Sequence, residues 1–326
     1  MENILYLVLG LIILIIGGEF LVKGSVALAV RMKVSMVVIG LTVVSFATSA
    51  PELIVSVYSA LTGHPDMALG NVIGSNIANL SLVLGLTALL FPLAFKQRLF
   101  RFDIPVMLFA SFLFGFFLYT NSVLEAWEGF IFVCLLVFLT IYLIRRSRKE
   151  EKLKAPSQED KMPLPKLILF LVSGGVCLYF GSRFLVNGAS GLARVMGLSE
   201  REISVSIVAF GTSVPELSAS IIAAFKKEKD LSVGNLIGSN IFNLFAVLGI
   251  TSIIQPIAIK DQSLLTNDIW WMFGVSLLIF PMMFLLHKGH VGRVEGGLLL
   301  FVYVAYIYFL FLQHQYSKPH IDSQTY

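Results

Sequence analysis

One short stretch occurs twice in this chain, each time in the middle of a long apolar run. Residues 46–53 read Phe-Ala-Thr-Ser-Ala-Pro-Glu-Leu, and residues 210–217 read Phe-Gly-Thr-Ser-Val-Pro-Glu-Leu. Few architectures tolerate a carboxylate in such a place. If the runs cross a bilayer, Glu52 and Glu216 fall near its centre, where an ionised side chain is costly and marks a site with a cation as its natural partner. Charge is scarce elsewhere: only 13% of the 326 residues are Asp, Glu, Lys or Arg, while 57% are hydrophobic. That balance predicts an all-α polytopic membrane protein.

Apolar runs of bilayer-crossing length are expected near residues 3–22, 35–61, 67–92, 103–120, 125–144, 166–186, 200–225, 231–256, 267–286 and 294–313, ten transmembrane helices in all. The first run has no basic segment before it and no convincing cleavage site after it, so it is expected to be a span and not a signal peptide. Cys134 and Cys177 lie inside apolar runs without metal-ligand spacing, which excludes a disulfide framework or zinc site.

The two halves are copies. Residues 70–80, Gly-Asn-Val-Ile-Gly-Ser-Asn-Ile-Ala-Asn-Leu, match residues 234–244 at nine of eleven positions. The offset is 164 residues for Glu52 and Glu216, for Asn71 and Asn235, and for Pro92 and Pro256. Five spans per copy send the second copy into the membrane from the opposite side, so the expected fold is two inverted five-helix repeats with helices 2, 3, 7 and 8 broken. The expected organisation is residues 1–144 as the first half, 145–165 as a charged linker, and 166–326 as the second half. With the linker cytoplasmic, 19 of the 24 Lys and Arg residues lie inside a plasma or inner membrane and both termini face outward.

Pro51 and Pro215 have no N–H to give, so each is expected to free the carbonyl four residues earlier, at Ala47 and Gly211. Ser45, Thr48, Ser49 and Glu52 share one helical face; Thr212, Ser213 and Glu216 repeat it, with Ala209 in the place of Ser45. One span later, Asn71, Ser75 and Asn79 recur every fourth residue, as do Asn235, Ser239 and Asn243. Oxygen donors without His or Cys suit hard ions such as Ca²⁺ and Na⁺. Two glutamates balance one Ca²⁺ or two Na⁺. Asn71 and Asn235 are expected to bond helix to helix, and Glu19, Lys23, Asp103, Glu128, Asp268 and Glu295 to snorkel from span ends.

The Thr-Ser-x-Pro-Glu and Gly-Asn-x-Ile-Gly-Ser-Asn pairs resemble the alpha repeats of the sodium/calcium exchanger branch of the cation/Ca²⁺ antiporter superfamily, prokaryotic type. The resemblance implies a secondary antiporter exchanging Na⁺ for Ca²⁺ by alternating access, with the first and sixth spans sliding over a core of the second, third, seventh and eighth. It implies a Ca²⁺ site of the Glu52 and Glu216 carboxylates and the Thr48 and Thr212 carbonyls. Flanking Na⁺ sites would use Ser49, Ser75, Ser213, Ser239 and the carbonyls of Ser45 and Ala209, with Asn79 and Asn243 at the centre. Some relatives, the K⁺-dependent branch included, carry aspartate at the position of Asn243, which argues against K⁺ co-transport here. H⁺/Ca²⁺ antiport is the alternative coupling within the superfamily.

A channel is disfavoured by the inverted repeat, and an intramembrane hydrolase by the lack of any nucleophile–base motif. No catalytic residue or cofactor is expected. The expected partners are the transported ions Ca²⁺ and Na⁺ and the lipid bilayer, with no nucleic acid and no obligate protein partner.

Overall fold

A computed structural model describes residues 2–95, 98–151, 162–196, 209–282 and 289–316. It is helical throughout: α1 (Glu2–Met32), α2 (Met36–Thr48), α3 (Ala50–Leu61), α4 (Pro65–Leu90), α5 (Arg101–Asn121), α6 (Ala126–Glu150), α7 (Leu164–Val195), α8 (Ala209–Thr212), α9 (Val214–Phe225), α10 (Lys229–Ile254), α11 (Leu264–Pro281) and α12 (Arg293–Tyr316). Among the described residues, eight helices are long and apolar enough to cross a membrane. The pair α2 and α3, bent by 45°, makes up to nine. The start of the expected seventh span, residues 200–208, lies outside the described residues, leaving α8 and α9 as its visible part.

Burial sorts the helices. Within their most apolar windows α4 and α10 are 78% and 83% buried, so these two form the centre, whereas α1, α6, α7 and α12 are only 22–28% buried and turn their apolar faces outward. Ile4, Val8, Leu11 and Ile15 of α1 are exposed in this way, as a lipid-facing stripe requires.

Helices α1 and α7 pack along each other as a pair. Glycines let their backbones meet: a Cβ on Gly17 would come within 2.9 Å of the Leu178 nitrogen, and one on Gly174 within 2.6 Å of the Leu21 nitrogen. Both helices outrun the expected spans, reaching 31 and 32 residues. At ~1.5 Å per residue each exceeds the ~30 Å hydrocarbon layer, which calls for tilt or protrusion. The charges that suggested an end are accommodated on the helix surface, where Glu19 pairs with Lys226 beside α9 at 2.5 Å and lies 3.9 Å from Lys23.

The expected breaks divide differently. Helix α2 ends at the repeated motif, and so does α8, but α4 and α10 run on without a break. In place of the expected breaks, the hydrogen-bond ladder widens into π-helical turns at Asn79–Val83 and Asn243–Leu248. A π-turn accommodates one extra residue without ending the helix, and such turns collect at functional sites.

Two short antiparallel strand pairs join the halves. Leu93–Ala94 (β1) pairs with His290–Val291 (β4), and Val123–Leu124 (β2) with Ile257–Ala258 (β3). Four of the six charges expected to snorkel are buried instead. Glu128 and Glu295 sit three residues after Glu125 and Gly292, and each accepts that residue's N–H at 2.8 Å, the reciprocal arm of a capping box. Asp103 and Asp268 are 1% and 8% exposed, Asp268 paired with Tyr306 and Asp103 beside Arg98 and Arg146. Burial of these two is only partly compensated, by Arg98 and Arg146 for Asp103 and by Tyr306 for Asp268, since each keeps one buried oxygen without a hydrogen-bond partner.

Candidate functional site

The two copies of the motif make the same local structure. The chain turns at Ser49 (φ −86°, ψ 4°) and at Ser213 (φ −87°, ψ 0°), and new helices start immediately after. Pro51 and Pro215 therefore stand in the first turn of α3 and α9, where their missing N–H costs nothing, and not in a helix interior as expected. Of the carbonyls they were expected to free, that of Gly211 is already taken, accepting from Ser182 Oγ of α7 at 2.6 Å. Ser182 has no counterpart in the repeat and gave no signal in the sequence.

Glu52 and Glu216 each follow the turn serine by three residues, the register of a capping box. Neither serine caps its own helix. Ser49 Oγ instead donates across the molecule to Glu216 Oε1 at 3.1 Å. Both carboxylates are fully buried at the N-terminal, positive ends of α3 and α9, which favours negative charge there.

Hydroxyls from one half meet those of the other. Thr48 Oγ1 lies 3.2 Å from Asn235 Oδ1 and 3.3 Å from Ser239 Oγ, and the repeat-related pair, Ser75 Oγ and Thr212 Oγ1, is 3.4 Å apart. Ser45 Oγ reaches the carbonyls of Gly40 (2.8 Å) and Asn235 (3.2 Å), binding α2 to α10. Asn71 Nδ2 donates to the Glu52 carbonyl (3.2 Å) and Ser56 Oγ (3.0 Å); Asn235 Nδ2 does so to the Glu216 carbonyl (3.5 Å) and Ser220 Oγ (3.0 Å). These asparagines lock the half-helices to α4 and α10, the helix-to-helix bonding expected of them. Ser56 and Ser220 were overlooked, although they too lie 164 residues apart.

Helix α3 packs on the π-turn that begins at Asn243, and α9 on the π-turn that begins at Asn79, so each glutamate's helix rests on the opposite half's asparagine turn. Around these contacts, buried oxygens have no protein partner: both of Glu52, Oε2 of Glu216, Oγ of Ser213, and the amide oxygens of Asn79 and Asn243. Buried polar groups left unpaired are rare and costly. These six oxygens, three of them carboxylate, are of the hard type that suits Ca²⁺ or Na⁺. Among the described residues no three or more His, Cys, Asp or Glu side chains cluster as a metal site built from such groups would require. Of Ala209 only the backbone is described, at the start of α8.

The surroundings are not symmetric. Asn71, Gly70, Gly74 and Thr212 are partly exposed, whereas their counterparts Asn235, Gly234, Gly238 and Thr48 are buried. Gly234 and Gly238 are covered by Val37, Gly40 and Leu41 of α2, and the segment that the repeat would place over Gly70 and Gly74, residues 200–208, lies outside the described residues.

Comparison with known proteins gives a consistent result. The family model described as sodium/calcium exchanger protein matches residues 2–145 and 166–312. The putative antiporter CaxA of Alkalimonas amylolytica is 37% identical over 315 residues, covering 94% of this chain and 98% of its own. The sodium/calcium exchanger MaX1 of Methanosarcina acetivorans is 31% identical, covering 95% and 98%. A solved structure of the sodium-calcium exchanger NCX_Mj, soaked with zero Na⁺ and Ca²⁺, superimposes with a TM-score of 0.80 at 28% identity, covering 94% of this chain and 98% of that one.

Proposed function

The chain belongs to the sodium/calcium exchanger family, and on that premise we propose that it is an antiporter that exchanges Na⁺ for Ca²⁺ through the buried carboxylates Glu52 and Glu216. The observation that carries this proposal is the set of unpartnered buried oxygens at two repeat-related helix starts. Glu52 and Glu216, with the Thr48 and Thr212 carbonyls, would hold Ca²⁺. Ser45, Ser49, Ser75, Ser213, Ser239 and Ala209 would supply hydroxyl and carbonyl oxygens for Na⁺, with Asn79 and Asn243 completing the centre. Two negative charges cannot neutralise both loads at once, because leaving excess positive charge buried costs several kcal/mol, of order the effective penalty per ion. Competition for one charge set is the basis of exchange, and a cycle of three Na⁺ per Ca²⁺ would be electrogenic.

In the same proposal the chain folds as ten spans in two inverted repeats, residues 1–144 and 166–326, joined by a cytoplasmic linker at 145–165, with both termini outside. Alternating access of the site to the two sides of the membrane is part of the same proposal. The glycine-lined contact of α1 with α7 supports these two helices moving as a unit over the core.

The test is ⁴⁵Ca²⁺ uptake into proteoliposomes loaded with Na⁺, compared with K⁺-loaded vesicles and with an imposed pH gradient, each at clamped membrane potential. Uptake that requires internal Na⁺ and disappears in Glu52→Gln is the expected result. Uptake driven only by the pH gradient would move the protein to proton coupling while keeping the two glutamates.

A further inference from the structure

A second site lies away from the ion centre, where α1 ends, α6 ends and α7 begins. A cavity of about 550 Å³ is lined there by Leu28, Arg31, Met32, Lys33, Arg148 and Leu164. Three of the six are cations and none is acidic. Among the described residues none of the three forms an ion pair, in contrast to Arg98 and Arg146 nearby, which both meet Glu150. The cluster is also built and not incidental. Arg148 Nε donates to the Met32 carbonyl at 3.1 Å, holding its guanidinium against the end of α1, and the neighbouring Ser147 Oγ accepts from Ser35 N at 2.8 Å. Lys33 takes a left-handed conformation (φ 55°) that turns the chain sharply after α1. Leu164 is the first residue of α7, so the positive end of that helix adds to the field.

The remaining lining is apolar and partly open, with Leu164 43% exposed and Leu28 and Met32 half-buried. A free anion would gain nothing from these three side chains. An amphiphile with a phosphate at one end and acyl chains at the other would use both surfaces, and basic pockets between membrane helices hold anionic headgroups in this manner. We propose that this cavity binds an anionic phospholipid, with its phosphate on Arg31, Lys33 and Arg148 and the start of its acyl chains against Leu28, Met32 and Leu164. The site bridges the α1–α7 pair and α6. It does not depend on which compartment that end faces, nor on the identity of the transported ions.

Native mass spectrometry of the full-length protein from micelles containing equal phosphatidylglycerol and phosphatidylcholine tests this directly. Wild type is expected to retain phosphatidylglycerol in preference to phosphatidylcholine. The double variant Arg31→Gln, Lys33→Gln touches no hydrogen bond among the described residues, so it should fold, and it should retain roughly fivefold less for each charge removed. The charge-preserving swap Arg31→Lys, Lys33→Arg should retain lipid as wild type does. Equal retention by the glutamine variant, equal retention of the two lipids by wild type, or loss in the charge-preserving swap would each overturn the site. Displacement of the bound lipid by excess inorganic phosphate would overturn the lipid and leave a free-anion site.

Discussion

Glu52 and Glu216 are held alike but not identically, since Glu216 receives the Ser49 hydroxyl whereas the repeat-related Ser213 hydroxyl makes no hydrogen bond to Glu52. Removing either charge should abolish Ca²⁺ uptake in the vesicle assay, with the purified variants still monodisperse; normal transport in Glu52→Gln or Glu216→Gln would end the site assignment. Ser182 tests a different kind of residue. Its loss in Ser182→Ala orphans the Gly211 carbonyl and should cost about 1–3 kcal/mol, read as a lowered unfolding midpoint. Glu128 separates transport from structure: Glu128→Gln keeps a capping acceptor and should leave transport intact, whereas Glu128→Ala should cost about 1 kcal/mol. The sequence made the carboxylates and hydroxyls legible because each is repeated at a fixed offset in an apolar setting. It hid Ser182, which is unique, and the capping role of Glu128 and Glu295, because a carboxylate near a span end looks the same whether it reaches water or folds back on its own helix.

At the scale of elements, helix identity and order were readable from hydropathy, but their internal shape was not. The motif announced a break, yet the asparagine repeats announced only polarity, and the π-turns that carry Asn79 and Asn243 and pack against α9 and α3 leave no mark in the hydropathy pattern. The lengths of α1 and α7 were underestimated because Glu19 and Lys23 suggested an interface, and the Glu19–Lys226 pair lies between helices distant in sequence. The α1–α7 contact makes its own prediction. Gly174→Val forces a side chain into the Leu21 backbone and should destabilise by about 1–3 kcal/mol while the separate α4–α10 core stays folded. Hydrogen exchange confined to α1 and α7 would report it, and uniform loss of protection across the chain would refute it.

For the whole molecule, alternating access predicts labelling that depends on the transported ions. In a protein whose Cys134 and Cys177 are replaced by serine, the reaction of Asn71→Cys and of Asn235→Cys with a membrane-impermeant thiol reagent should change in opposite directions when Na⁺ is exchanged for Ca²⁺. Labelling of both that is indifferent to the ions would contradict alternating access. The strand pairs β1–β4 and β2–β3, in which Leu93–Ala94 and Ile257–Ala258 lie at the same 164-residue offset as the repeats, bear on how the chain is made. During synthesis, Leu93–Ala94 and Val123–Leu124 leave the ribosome more than a hundred residues before their respective partners, His290–Val291 and Ile257–Ala258. The first half therefore enters the membrane with these loop edges unpaired, and only completion of the second half closes them.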